Sequence, residues 1–180
     1  MANTMTLIQS VTVPSGGASS IDFTSIPSTY TDLVVKVALR DGTSGVAQTA
    51  ALIYFNSDNG TASWSYKYLR GSGSAASSGS GGGYPGCYIG EYNGSTSTSN
   101  TFCNTEIYIP NYAGSQQKSF SVDSVQETNA TTAYSHLIAG LWSAAGGNAA
   151  INAVHITCAT GAGSNFVQYS TAYLYGVKNA

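Results

Sequence analysis

Through much of this chain apolar residues recur at every second position. Leu33, Val35, Val37 and Leu39 alternate with Val34, Lys36, Ala38 and Arg40. Trp64, Tyr66, Tyr68 and Arg70 fall on one face of another segment, with Lys67 and Leu69 on the other. Phe120 and Val122 alternate with Ser119, Ser121 and Asp123; Val154, Ile156 and Cys158 alternate with Ala153, His155 and Thr157. Val167, Tyr169, Thr171, Tyr173 and Tyr175 repeat the pattern near the C-terminus. Successive side chains of a strand point to opposite faces, so a period of two with β-branched and aromatic residues reads as half-buried strands. Further strand candidates cover 6–13, 20–24, 49–56, 86–92, 102–109 and 134–142. In the last of these, Ala133, Leu137 and Leu141 also fit a helical spacing, but Gly140 weakens a helix and the alternation decides for a strand.

Ten or eleven short strands without a capped amphipathic helix predict an all-β fold, an antiparallel β-sandwich of jelly-roll type, in a single domain spanning 1–180. Residues 1–8 are expected as an N-terminal arm. Gly71 to Gly83 is a run of Gly, Ser and Ala alone. It offers no side chain to bury, which predicts a flexible loop.

Charge is the unusual part of the composition. Asp, Glu, Lys and Arg together make up 8 % of the chain, with a net charge of −2, against roughly 25 % in an ordinary domain. Ser, Thr and Gly fill the gap, so the surface is neutral and hydroxylated, suited to packing against copies or partners. The basic residues Lys36, Arg40, Lys67, Arg70, Lys118 and Lys178 are scattered, whereas nucleic-acid binding needs them clustered; no nucleic-acid partner is expected. The longest apolar stretch, Ala50 to Phe55, is far shorter than the ~20 residues of a membrane span. The N-terminal segment has no charged start or long apolar run, so no signal peptide is expected.

Catalytic constellations are not evident. Gly81-Gly-Gly-Tyr-Pro-Gly86 matches G-x-G-x-x-G, but a Gly/Ser run precedes it and a strand-like segment follows, where the dinucleotide motif needs a strand and then a helix. No Gly-x-Ser-x-Gly elbow occurs. His136 and His155 read as ordinary strand residues, and the eight acidic residues form no dense calcium loop. Cys87, Cys103 and Cys158 include no C-x-x-C pair; Cys87 and Cys103 could face each other across a hairpin, or all three are small buried hydrophobes. No catalytic, cofactor or metal residue is nominated, and no cofactor is expected. The Asn-x-Ser/Thr sequons at Asn59, Asn93 and Asn129 carry little meaning in so hydroxyl-rich a chain.

The 13 tyrosines are the most suggestive feature, because Tyr gives large contact area at low entropy cost and keeps a hydroxyl. Tyr84, Tyr88 and Tyr92 surround the glycine-rich run, and Tyr169 and Tyr173 share the C-terminal segment. These five are the candidate interface residues; good β propensity explains Tyr equally well.

Ser20-Ile-Asp-Phe-Thr-Ser-Ile-Pro-Ser-Thr-Tyr-Thr-Asp-Leu-Val-Val35 resembles a signature near the N-terminus of virion structural proteins of tailed bacteriophages. Glu106-Ile-Tyr-Ile-Pro-Asn-Tyr112, Ser124 to Trp142 and Ser170-Thr-Ala-Tyr-Leu-Tyr-Gly-Val-Lys-Asn179 resemble the same group. The resemblance covers most of the chain apart from the glycine-rich run. It implies a β-sandwich module of the kind found in capsid decoration (cement) proteins and in fibres, with no catalytic residue. The expected function is a decoration protein that binds the outer capsid surface and stabilises the shell. Its expected partners are the major capsid protein and itself as a homotrimer, with residues 1–8 or the 71–84 segment reaching neighbouring subunits. The alternative is a lectin-like receptor-binding module of a tail or head fibre, with Trp64 among the aromatics that would stack on a host glycan.

Overall fold

The computed structural model describes residues 5–42, 45–129, 133–143, 147–159 and 164–178. Twelve strands follow in chain order: β1 (Met5–Thr12), β2 (Ser20–Phe23), β3 (Asp32–Ala38), β4 (Gln48–Phe55), β5 (Trp64–Gly71), β6 (Ala76–Gly82), β7 (Cys87–Asn93), β8 (Asn104–Ile109), β9 (Lys118–Gln126), β10 (Tyr134–Trp142), β11 (Val154–Cys158) and β12 (Thr171–Val177). One 3-10 turn, Thr61–Ser63, leads into β5, and no α-helix occurs among the described residues. The strands form two antiparallel sheets. The larger has eight strands in the order β1-β12-β3-β8-β9-β10-β5-β6, and the smaller has four in the order β2-β11-β4-β7.

The chain is therefore an all-β sandwich, as the alternation predicts. The strands divide eight and four between the two sheets, more in total than the eight of a simple jelly roll. Alternation assigns the faces. In β9, Phe120 and Val122 are buried while Ser119, Ser121 and Asp123 are exposed; in β3, Leu33, Val35 and Val37 are buried and Lys36 is exposed. Ile53 and Phe55 of β4 and Val154 and Ile156 of β11 close the core from the smaller sheet. Phe55 meets Trp64, Phe120 and Trp142 edge-on at 5.4–5.5 Å between ring centres. Trp64 is thus core, and the glycan-stacking role considered for it does not survive. Its burial follows from sharing a face with the sandwich interior.

Two sequence expectations are corrected. Residues 5–8 of the expected arm are the first half of β1, which pairs with β12 from Met5↔Val177 onward; residues 1–4 lie outside the described residues. The Gly/Ser run is not simply a loop, since Ala76–Gly82 is an edge strand in unbroken register with β5. Its order comes from its partner. Tyr66 stands opposite Gly81 and Tyr68 opposite Gly79. A Cβ on Gly79 would lie 2.6 Å from the Tyr68 hydroxyl oxygen, and one on Gly81 would collide with Tyr66. The tyrosine rings lie across the glycines and supply the contact that the strand's own side chains cannot.

Two of the six basic residues are not solvated cations. Lys118 is buried, and its Nζ donates to the carbonyls of Gly114 (2.8 Å), Gln116 and Gly147 (3.3 Å). The Arg40 guanidinium donates to the carbonyls of Ser95, Ser97, Thr98 and Thr101 and to the Ser97 and Thr101 hydroxyls, at 2.8–3.3 Å. It organises the 94–103 connection between β7 and β8. All three cysteines are free thiols, with Cys87 and Cys103 buried. Burial pushes the Cys87 thiol up to about 12 and that of Cys103 up to about 11.

Candidate functional site

The smaller sheet ends at β7, which packs on β9, β10 and β5. In the larger sheet β6 lies beyond β5 as the edge strand. Along β5, Trp64 enters the core, while Tyr66, Tyr68 and Arg70, on the same face, stand beside the β7 edge and are half-buried. A cleft of about 320 Å³ lies there, lined by Tyr66, Tyr68, Arg70, Tyr84, Tyr88 and Glu91, with Ala50, Leu52 and Ala159 at its base.

A bulge in β7 supplies the second wall. Leu52 pairs with Tyr88 and Ala50 with Glu91, so two residues of β7, Ile89 and Gly90, oppose Ala51 alone. Gly90 has φ +112°, and a Cβ there would lie 2.7 Å from that of Ser124; glycine is required both by the backbone and by the close approach to β9. In a regular strand Tyr88 and Glu91 would point to opposite faces. The extra residue turns both toward Ala50 and Leu52, and the Tyr88 hydroxyl donates to Glu91 Oε1 at 3.2 Å. The same hydroxyl lies 3.0 Å from Nε2 of the buried His136 on β10.

The electrostatics of the cleft are balanced. Burial raises the Glu91 carboxyl above its ordinary range, against the opposing influence of the Tyr88 hydrogen bond and Arg70. Burial, with Arg70 nearby, lowers His136 to about 4, so the imidazole is neutral at pH 7. The Tyr88 hydroxyl is driven upward, chiefly by burial and then by Glu91. Arg70 lies over the Tyr134 ring at 4.6 Å and near Tyr68 at 5.8 Å. Among the described residues no three His, Cys, Asp or Glu side chains come together as metal ligands.

Of the five nominated tyrosines, the cleft brings together only Tyr84 and Tyr88. Tyr92 is a correction. It is fully buried, with its ring 5.6 Å from that of Phe166, because the bulge reverses the phase of β7 after Gly90. Tyr169 is highly exposed in the turn before β12, at φ +72°, and Tyr173 lies on the outer face of the larger sheet; neither is near the cleft. Sequence reasoning put Tyr66, Tyr68 and Arg70 on one face without nominating them, and missed Glu91 and His136. The available signal was the glycine alternation of 79 and 81, in step with the β5 tyrosines. The G-x-G-x-x-G match spans the end of β6 and the turn that leads to β7, so it connects strand to strand. His155 is stacked on Tyr54 and bonded to Asp22 across the pair β2/β11.

The other notable surface is the outer face of the larger sheet. Leu69 and Leu137 are direct cross-strand partners, 61 % and 59 % exposed. A shallow trough of about 650 Å³ runs past them, floored by Ser78, Ser80, Ser121 and Ala139. The same face carries exposed Val125, Tyr108, Tyr173 and Leu7 on other strands. Lys36 and Glu106, paired at 2.8 Å, neutralise each other there.

Comparison with protein-family models, curated proteins and solved structures finds no match for this chain.

Proposed function

We propose that this chain is a structural, non-enzymatic protein of a virus particle, a capsid decoration module that seats on the outer shell and stabilises it. The reading is carried by the outer face of the eight-stranded sheet. That face spreads Leu69, Leu137, Val125, Tyr108 and Tyr173 over a floor of Ser and Ala, with Lys67 and Asp123 standing beside the two leucines. Exposed apolar residues gathered on one face favour contact with another protein, and low charge removes the repulsion that would oppose dense packing. The resemblance of four segments to tailed-phage virion proteins agrees with it. In this reading the face meets major capsid subunits, the protein is a homotrimer, and many weak contacts add by avidity.

The test compares capsids with and without the protein. Shells carrying it are expected to resist heating better, and Leu69→Lys with Leu137→Lys is expected to abolish attachment while the isolated protein stays folded. Equal heat resistance, or full attachment of the doubly substituted protein, contradicts the proposal.

A further inference from the structure

We propose that the cleft between β5 and β7 binds a neutral pyranose sugar, its apolar face against the tyrosine rings and its hydroxyls shared between Arg70 and Glu91. The inference does not depend on where the protein is located, since it rests on the cleft alone.

Three observations select the ligand. First, the cleft is concave and built. Tyr66 and Tyr68 are seated on Gly81 and Gly79, which fixes their ring planes, and Tyr66 and Tyr88 rings lie 5.3 Å apart. Preset aromatic walls favour a ligand with a flat apolar face. Second, the polar groups at the walls are of both kinds. Arg70 offers donors only and makes no hydrogen bond or ion pair among the described residues. Glu91, whose Oε1 takes the Tyr88 hydroxyl, keeps acceptor capacity on its other oxygen. Adjacent sugar hydroxyls both donate and accept, and so satisfy the two together. Third, the charges exclude the competitors. Four tyrosines and a carboxylate would suit a quaternary ammonium ion, but Arg70 repels a cation. Glu91 likewise opposes a phosphate or an acidic sugar, and with a net charge of −2 nothing draws in a polyanion. A neutral polyol is left.

The experiment is saturation-transfer NMR on the full chain, with methyl glycosides of galactose, glucose and N-acetylglucosamine as probes. Choline and N-acetylneuraminic acid serve as charged comparisons. Transfer to the ring protons of at least one neutral glycoside is expected, and none to choline or the acidic sugar. Tyr84→Ala and Arg70→Gln, both at partly exposed positions and each checked by thermal melting, are expected to weaken binding about tenfold or more. Ser78→Ala, on the opposite face of the sheet, is expected to leave it unchanged. Absence of transfer to all three neutral glycosides overturns the proposal, as does preferential binding of choline or the acidic sugar. Binding that persists unchanged in folded Tyr84→Ala and Arg70→Gln proteins places the sugar elsewhere and overturns it equally.

Discussion

Tyr68 lies across Gly79, its cross-strand partner, so closely that a Cβ on the glycine would sit 2.6 Å from the phenolic oxygen. The contact joins a strand that has no apolar side chains larger than Ala to one rich in them. It is repeated one step along the pair, where Tyr66 covers Gly81. Ser78 and Ser80 face the other way, into the trough beside Leu69 and Leu137.

Gly79→Ala is therefore expected to push the Tyr68 ring off its seat and destabilise the protein by about 1–3 kcal/mol, the range for overpacking. Ser78→Ala and Ser80→Ala, on the open face, are expected to stay within about 0.5 kcal/mol. Denaturant melts of the three variants check this, with near-ultraviolet circular dichroism reporting the tyrosines. Equal effects on both faces would contradict the seating.

The bulge at Gly90 gives a second expectation. At φ +112° any side chain is strained, and a Cβ there would press on Ser124. Gly90→Ala is expected to cost about 2–3 kcal/mol. Because the bulge aims Tyr88 and Glu91 to the same side, the variant should also lose their hydroxyl-to-carboxylate bond, read from the phenolic proton by NMR.

His136 makes stability fall in mild acid. Its value drops from the ordinary 6.5 to about 4 on folding, through burial and then Arg70. Between these two values the unfolded chain binds the proton and the folded one does not. Stability is then lost as pH falls through that window, by about 3 kcal/mol for a shift of this size. Glu91 acts in the opposite sense. Its carboxyl is raised on folding, so the folded state takes up a proton first and gains stability as pH falls through the raised value. His136→Gln is expected to remove the loss and leave the smaller Glu91 gain visible, in melts followed from pH 7 to pH 4.

Arg40 holds the 94–103 connection by bonds to four carbonyls and two hydroxyls. Arg40→Ala leaves those carbonyls without their cation, and a loss of about 2–4 kcal/mol is expected. Arg40→Lys recovers only part, since an ammonium cannot span the same fork of acceptors. Hydrogen exchange in the connection should rise well before global unfolding in both variants.

The strands, their faces and the core were legible because a period of two with Val, Ile, Tyr and Phe has one structural solution. Even 134–142, with a helical spacing available, forms the strand that its alternation suggests, and Gly140 in it receives the Phe120 ring from β9. The cleft was less legible. The run 71–83 looks structureless because its contacts come from Tyr66 and Tyr68 in another strand. Tyr88 and Tyr92, four apart, should share a face, and a single extra residue at the bulge separates them into cleft and core. Glu91 and His136 gave no signal, since each meets Tyr88 only through that bulge or through sheet packing.

Imaging of purified particles, with a label bound to this chain, tests the central claim most directly. The account expects label in many symmetry-related copies on the outer surface of the capsid, lost when Leu69 and Leu137 are both replaced by Lys. Particles that contain none of the chain would contradict it, as would label confined to the interior.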